Sequence, residues 1–103
     1  MDDLIDGMKM HQQAMVLWKL TWLDTEVLNK DFRGREIARQ MIRSVGSISA
    51  NMEEGYGRGF GRDFRLFLTY ARGSARESKG WYLRSLPLLG NSVVKERTAI
   101  LDT

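Results

Sequence analysis

Cysteine is absent from the 103-residue chain, which excludes disulfides and thiolate-built zinc sites and makes a reducing cytoplasm the expected setting. Histidine occurs once, at His11, so a histidine-based metal site or a nucleophile–histidine–acid triad lacks its other members. His11 itself reads as a surface or interface residue. Proline occurs once, at Pro87, and leaves the rest of the chain open to long helices. No stretch approaches the roughly twenty apolar residues that a bilayer crossing needs. The opening Met1-Asp2-Asp3-Leu4-Ile5-Asp6 is acidic where a signal peptide is basic. Residues 1–7 are expected to be a flexible acidic N-terminus to a single domain, since a chain of this length supports one core. Neither strand-type alternation nor an internal repeat is present.

Charge is unevenly spread over a chain whose formal net charge is +3. Residues 1–32 carry three Lys against six acids, and residues 33–84 carry eleven Lys and Arg against five acids. Ten of those eleven cations are Arg, whose planar fork suits phosphate and carboxylate recognition. Such a block is either a polyanion-binding surface or a solvated, salt-bridged helix face.

Four glycines, Gly55, Gly57, Gly59 and Gly61, make the strongest interior break, and helical periodicity runs on both sides. The first helix is expected over about Met8–Asn29. At about 100° per residue, Val16, Leu20, Leu23 and Val27 form one stripe, expected to face the core, and Met15, Trp18 and Trp22 form a second. Two apolar faces on one helix require a second surface to cover them.

The second helix is expected from about Arg35 to Glu54, with Ile37, Met41, Val45, Ile48 and Met52 at core spacing. Ser44, Gly46, Ser47 and Ala50 allow close helix approach, and Arg35, Arg39 and Arg43 form a basic ridge. The third helix starts near Asp63, a cap or first-turn acid. It puts Phe64, Phe67, Leu68, Ala71, Ala75, Ser78, Tyr82 and Leu86 on one side. Arg62, Arg65, Arg72, Arg76 and Lys79 gather in a second sector, and Leu66, Tyr70, Glu77 and Trp81 in a third. Pro87 and Gly90 end or kink this helix, and a short fourth helix follows from about Ser92 to Leu101.

The segment from Gln40 to Arg58 resembles the central signature of the four-helix-bundle proteins also called 23S ribosomal RNA intervening-sequence proteins. The match is specific at Gln40, Arg43, Ser47, Ile48, Asn51, Glu54, Gly55, Gly57 and Arg58. A second block, Asp63-Phe64, Phe67-Leu68, Ala71, Gly73-Ser74 and Glu77, is similar to the family's next conserved stretch. His11 stands where the family often has Trp, and Leu28-Asn29 where Phe-Pro is usual. The resemblance implies an all-α, antiparallel up-and-down four-helix bundle that assembles into a ring-like homopentamer. It also implies a bacterial source and basic surface that meets nucleic acid.

Each site has two readings. The run Gly55-Tyr56-Gly57-Arg58-Gly59-Phe60-Gly61-Arg62 invites a phosphate cradle, but no strand precedes it and no Lys-Ser/Thr pair ends it. A helix-to-helix turn with positive backbone angles is the alternative, whose two arginines and two aromatics remain able to touch a nucleic-acid strand. Asn51 and Glu54 read as a structural polar cluster, because an acid in a helix's last turn opposes the macrodipole and needs a cation; Arg58 is the nearest candidate, with Arg43 or an arginine of the third helix as the alternatives. A lone carboxylate without a second acid, base or nucleophile defines no reaction.

The functional reading is a non-enzymatic oligomer that binds RNA or DNA through Arg35, Arg39, Arg43, Arg58, Arg62, Arg65, Arg72, Arg76 and Lys79. Copies are expected to join through Met15, Trp18, Trp22, Leu66, Tyr70 and Trp81. No metal, cofactor, small-molecule substrate or membrane is implied. The alternative is a protein–protein scaffold without a nucleic-acid role.

Overall fold

Asn29, Lys30 and Asp31 turn the first corner, between α1 (Lys9–Leu28) and α2 (Phe32–Gly57). The computed structural model describes residues 8–59 and 61–102; the acidic stretch 1–7 lies outside the described residues. Asp31 caps α2: its carboxylate accepts the Arg33 backbone N–H at 2.8 Å and the Arg33 guanidinium at 2.9 and 3.1 Å. The Arg33 side chain, first, and its N–H hold the Asp31 carboxyl well below the ordinary carboxylate range. This cap starts α2 ahead of the expected Arg35. The corner is tight enough to require Gly34, where a Cβ would overlap the Leu28 carbonyl, 2.8 Å from its carbon.

α3 (Arg62–Arg84) follows the glycine loop, in which Gly59 adopts φ 85°, as a left-handed turn requires. Ser85 then closes α3, its hydroxyl donating to the Trp81 carbonyl at 2.8 Å. Pro87 sits in the first turn of a four-residue helix, α4 (Leu86–Leu89), and Gly90 leads into α5 (Asn91–Leu101). The described residues are thus all helix and connection, in a bundle-like body of 43 × 20 × 19 Å. No helix among them is long and apolar enough to cross a membrane.

The core carries out the expected pattern of α2: Met41, Val45, Ile48 and Met52 are buried, and Ile37 packs against them. Ala71, Ser78 and Tyr82 of α3 are buried, with Phe64, Phe67, Leu68 and Ala75 half-buried beside them. Leu86, expected on the same side, is exposed. Small residues bring helices close as anticipated: the Ser44 and Ser78 hydroxyls stand 2.9 Å apart, and a Cβ on Gly46 would lie 3.2 Å from Trp18.

α1 corrects the expectation. Three of the four residues of the stripe assigned to the core face outward, Val16 52%, Leu23 58% and Val27 44% exposed, and Leu20 is half-buried. The buried face is Ala14, Leu17, Thr21, Asp24, Thr25 and Leu28, half of it polar. Thr25 bonds the Trp22 carbonyl of its own helix at 2.9 Å, while Thr21 and Asp24 are held inward by hydrogen bonds reaching across the chain. Arg97 of α5 donates from Nε to Asp24 Oδ2 at 2.8 Å and from Nη2 to Oδ1 at 3.1 Å. The Tyr82 phenol donates to Asp24 Oδ2 at 2.7 Å. Since a phenol has one proton, the Thr21 hydroxyl, 2.8 Å from Tyr82 Oη, is the donor in that pair. Arg97 also meets Glu96. No buried side-chain nitrogen or oxygen among the described residues lacks a partner. Burial, first, pushes the Tyr82 phenol above its usual value, while the hydrogen bond to Asp24 keeps the Arg97 guanidinium charged. This quartet fastens α1 and α3 to α5.

Candidate nucleic-acid interface

The buried face of α3, centred on Ala71, Ser78 and Tyr82, fixes the rotation of the whole helix. Arg62, Arg65, Arg72 and Arg76 then project from an adjacent flank, all exposed. None has a carboxylate within 4.0 Å among the described residues. Fourteen residues separate the outer two, about 21 Å at 1.5 Å per residue. That length spans about six phosphates of one strand at 3.4 Å each. Lys79, at the lower end of the row, is already engaged with Asp102 at 2.9 and 3.2 Å.

The ridge on α2 lies elsewhere. Arg35, Arg39 and Arg43 are exposed, but Arg43 reaches Gln40 at 2.8 Å and Glu77 at 3.5 Å, and Arg39 stands 3.9 Å from Glu36. Glu77 occupies the flank of α3 that faces α2, about 120° around the helix from the centre of the α3 row. Arg72, on the row, instead borders Ile100 and Leu101 of α5. Eight of the nine cations therefore form two separate rows, with Arg58 apart from both at the glycine loop, and the row on α3 keeps most of its charge unneutralised.

Around the glycine loop Arg58 and Tyr56 make contacts within the chain. Arg58 donates to Glu54 at 3.0 Å, lies 3.5 Å from Asp63, and covers the Phe67 ring at 4.9 Å. The hydrogen bond to Glu54 leads in raising the Arg58 pKa above its ordinary value. Asn51, grouped with them on sequence, bonds instead to the Ser47 carbonyl of its own helix at 2.8 Å. Tyr56 meets Phe64 edge-on with ring centres 4.9 Å apart, and Phe60 lies outside the described residues. His11 is tucked in rather than open: its side chain is 12% exposed, and Nε2 lies 2.8 Å from Glu53.

The residues assigned to subunit contact divide as well. Trp22, Leu66 and Tyr70 are 58%, 43% and 48% exposed, and Met15 is half-buried. Trp18 lies against Gly46 and Trp22, while Trp81 donates its indole N–H to Glu77 at 3.1 Å beneath the Arg84 guanidinium. The outward Val16, Leu23 and Val27 belong with the exposed group, an apolar surface that core periodicity concealed.

Among the described residues, five helices, a half-polar buried face on α1 and an open arginine row define a helical, bundle-like protein built around Gln40–Arg58 and Asp63–Glu77. The family model described as 23S rRNA-intervening sequence protein matches residues 6–91, and the chain belongs to that family. Comparison with curated proteins and with solved structures gave no match.

Proposed function

We propose that this protein is a non-enzymatic, self-assembling accessory protein of the bacterial cytoplasm that binds nucleic acid, RNA foremost, along α3. The carrying observation is the row Arg62, Arg65, Arg72 and Arg76, exposed and without a carboxylate in reach among the described residues. The family's description connects it with 23S rRNA, which favours RNA over DNA. Guanidinium groups on a rigid helix bind phosphates and carry little sequence readout.

An antiparallel up-and-down helix order supports this reading. Contacts between α1 and α2 run in opposite senses, His11 with Glu53, Trp18 with Gly46 and Leu28 with Gly34. The outward Trp22, Leu23 and Val27 favour self-association, and the family resemblance makes the assembly a ring-like homopentamer. Copies in a ring repeat the arginine row and concentrate its field.

The test is titration of labelled single-stranded RNA at several salt concentrations. Four phosphate contacts give a log–log slope of about −2.8 per subunit engaged. Each of Arg65→Gln, Arg72→Gln and Arg76→Gln lowers its size by about 0.7. No association at low salt, or an affinity indifferent to salt, overturns the proposal. The second reading, a protein-binding scaffold, rests on the same exposed apolar residues of α1, and pull-down after nuclease treatment separates the two.

A further inference from the structure

α3 lies flush with its neighbours. α2 follows one flank along its length: a Cβ on Gly55 would lie 3.1 Å from Phe67, and the Ser44 and Ser78 hydroxyls stand 2.9 Å apart. α5 borders the other flank between Arg72 and Lys79, with Ile100 and Leu101 beside Arg72 and Asp102 holding Lys79. The outer side that remains is low. At about 100° per residue, Thr69 falls within the sector of Arg62, Arg65, Arg72 and Arg76, and Gly73 borders it. Both are exposed, and a Cβ on Gly73 would meet nothing within 4 Å. The Thr69 hydroxyl donates to the Arg65 carbonyl at 3.0 Å, which leaves its oxygen an acceptor.

This surface suits one form of nucleic acid. The rings of α3 are engaged elsewhere: Phe64 meets Tyr56, Phe67 lies under Arg58 and edge-on to Tyr70, Trp81 lies under Arg84, and Tyr82 is buried. A single strand on the arginine row finds phosphate partners but, among the described residues, no platform for its bases. A duplex keeps its bases stacked on one another and needs backbone contacts alone. An α-helix, about 10–12 Å across, fills the roughly 12 Å major groove of B-form DNA, so it has to stand clear of its own domain to enter. α3 instead has neighbours on both sides. A-form RNA offers a wide, shallow minor groove edged by phosphates and 2′-hydroxyls, which a low helix face can lie across. We infer that the arginine row binds double-stranded RNA, its guanidinium groups on phosphates and Thr69 Oγ1 accepting from a ribose 2′-hydroxyl. This rests on the RNA reading above and narrows it to a helical target recognised by shape.

The full chain is titrated by fluorescence anisotropy with three labelled probes of one sequence. They are a duplex RNA of about 16 base pairs, the length that a double-stranded-RNA module spans, one of its strands, chosen without self-complementarity, and the corresponding duplex DNA. Duplex RNA is expected to bind at least about tenfold more tightly than either of the others, a difference of about 1.4 kcal/mol. With four phosphate contacts its log–log salt slope is about −3.6, against about −2.8 for the strand. Gly73→Trp separates shape from charge density, because the added ring has open space on the helix and rises from its outer side. It holds the duplex off and gives the strand a stacking platform, so duplex RNA binding falls at least about fivefold while strand binding does not fall. Circular dichroism is expected to show the helices of this variant intact. A strand bound as tightly as the duplex, duplex DNA bound as tightly as duplex RNA, or duplex binding indifferent to Gly73→Trp overturns the inference and leaves nucleic-acid binding standing. Binding of none of the probes overturns both.

Discussion

Replacing Arg97 with methionine keeps most of the side chain's bulk and removes the cation that faces Asp24. The two side chains are only 10% and 8% exposed, so water replaces the lost contacts poorly. Asp24 Oδ1 loses the donor at 3.1 Å, while Oδ2 keeps the Tyr82 phenol at 2.7 Å. Breaking a buried pair by deleting one partner costs about 3–5 kcal/mol, and the residual exposure argues for the lower end, about 3 kcal/mol. A domain of this size is stable by about 5–15 kcal/mol, so the loss is a large fraction.

Urea unfolding followed by the helical circular dichroism signal measures it, at one protein concentration because any association of copies would alter apparent stability. With a slope of about 1.5 kcal/mol per molar urea, the midpoint falls by about 2 M. Asp24→Leu with Arg97→Met removes both charges together. The Tyr82 hydroxyl then still has Thr21 at 2.8 Å. That double variant returns to within about 1 kcal/mol of the native chain, giving a coupling of at least about 2 kcal/mol in the cycle. If the double variant loses the sum of the two single losses, the quartet is not an interdependent unit and the reasoning is refuted.

Tyr82→Phe leaves Asp24 short of a donor and costs about 1–3 kcal/mol by the same assay. Because burial raises the folded phenol's pKa above its ordinary 10.0, the native chain's stability is full below that pH and falls above it as the unfolded chain ionises first. The Tyr82→Phe variant lacks this alkaline slope in a pH series of melting temperatures. Asp31 behaves in the opposite sense: its folded pKa is depressed, so its contribution is present above the ordinary 3.8 and is lost as pH falls below it. Asp31→Ala flattens the acid limb in the same series. Gly34→Ala forces a Cβ against the Leu28 carbonyl and destabilises by about 2 kcal/mol or more. Gly57→Ala, with nothing within 4 Å of the added carbon, is neutral or slightly stabilising. Leu23→Glu, at a position 58% exposed, leaves subunit helicity unchanged and shifts sedimentation toward smaller species; an unchanged profile excludes this stripe from the subunit contact.

Helix positions were legible because their signals are local. The first helix, expected over about Met8–Asn29, is Lys9–Leu28, and the last, expected from about Ser92, begins at Asn91. Pro87 and Gly90 mark the break after α3 as expected, although the four-residue α4 between α3 and α5 was not foreseen. The inward face of α1 was not legible. Thr21, Asp24 and Thr25 look like solvent residues; Thr25 is satisfied locally by the Trp22 carbonyl, but the groups that make the burial of Thr21 and Asp24 tolerable are remote in sequence. Tyr82 lies 58 residues from Asp24 and Arg97 lies 73. Periodicity within one helix cannot register such partners. A weak signal did exist: Ala14, Leu17, Thr21 and Leu28 share one face with Asp24 and Thr25 at spacings of three and four. The same limit applies to the arginines. Sequence placed the α2 and α3 rows correctly on their own helices, but which row meets acids depended on Glu77 facing α2 and Asp102 ending α5.

The half-polar face of α1 has a consequence for the outside of the molecule. A helix has a fixed circumference, so giving Thr21, Asp24 and Thr25 inward positions turns Val16, Leu23 and Val27 to the outside, where they remain 52%, 58% and 44% exposed. Fully burying such side chains is worth about 1.5–3 kcal/mol each, so several half-exposed ones retain enough to drive association when repeated on a partner. The arginine row obeys a parallel rule. Surface acids already engage Arg43, Arg58 and Lys79, and the row left without such partners lies on α3. Apolar surface on α1 therefore arises from how the interior is satisfied and unneutralised cations on α3 from where the surface acids lie, and substitutions that restore an apolar core at Asp24 and Arg97 should leave both outer surfaces in place. If that double variant keeps its fold but no longer assembles or binds RNA, the outer surfaces depend on the quartet's orientation of α1 against α3 and not merely on its strength.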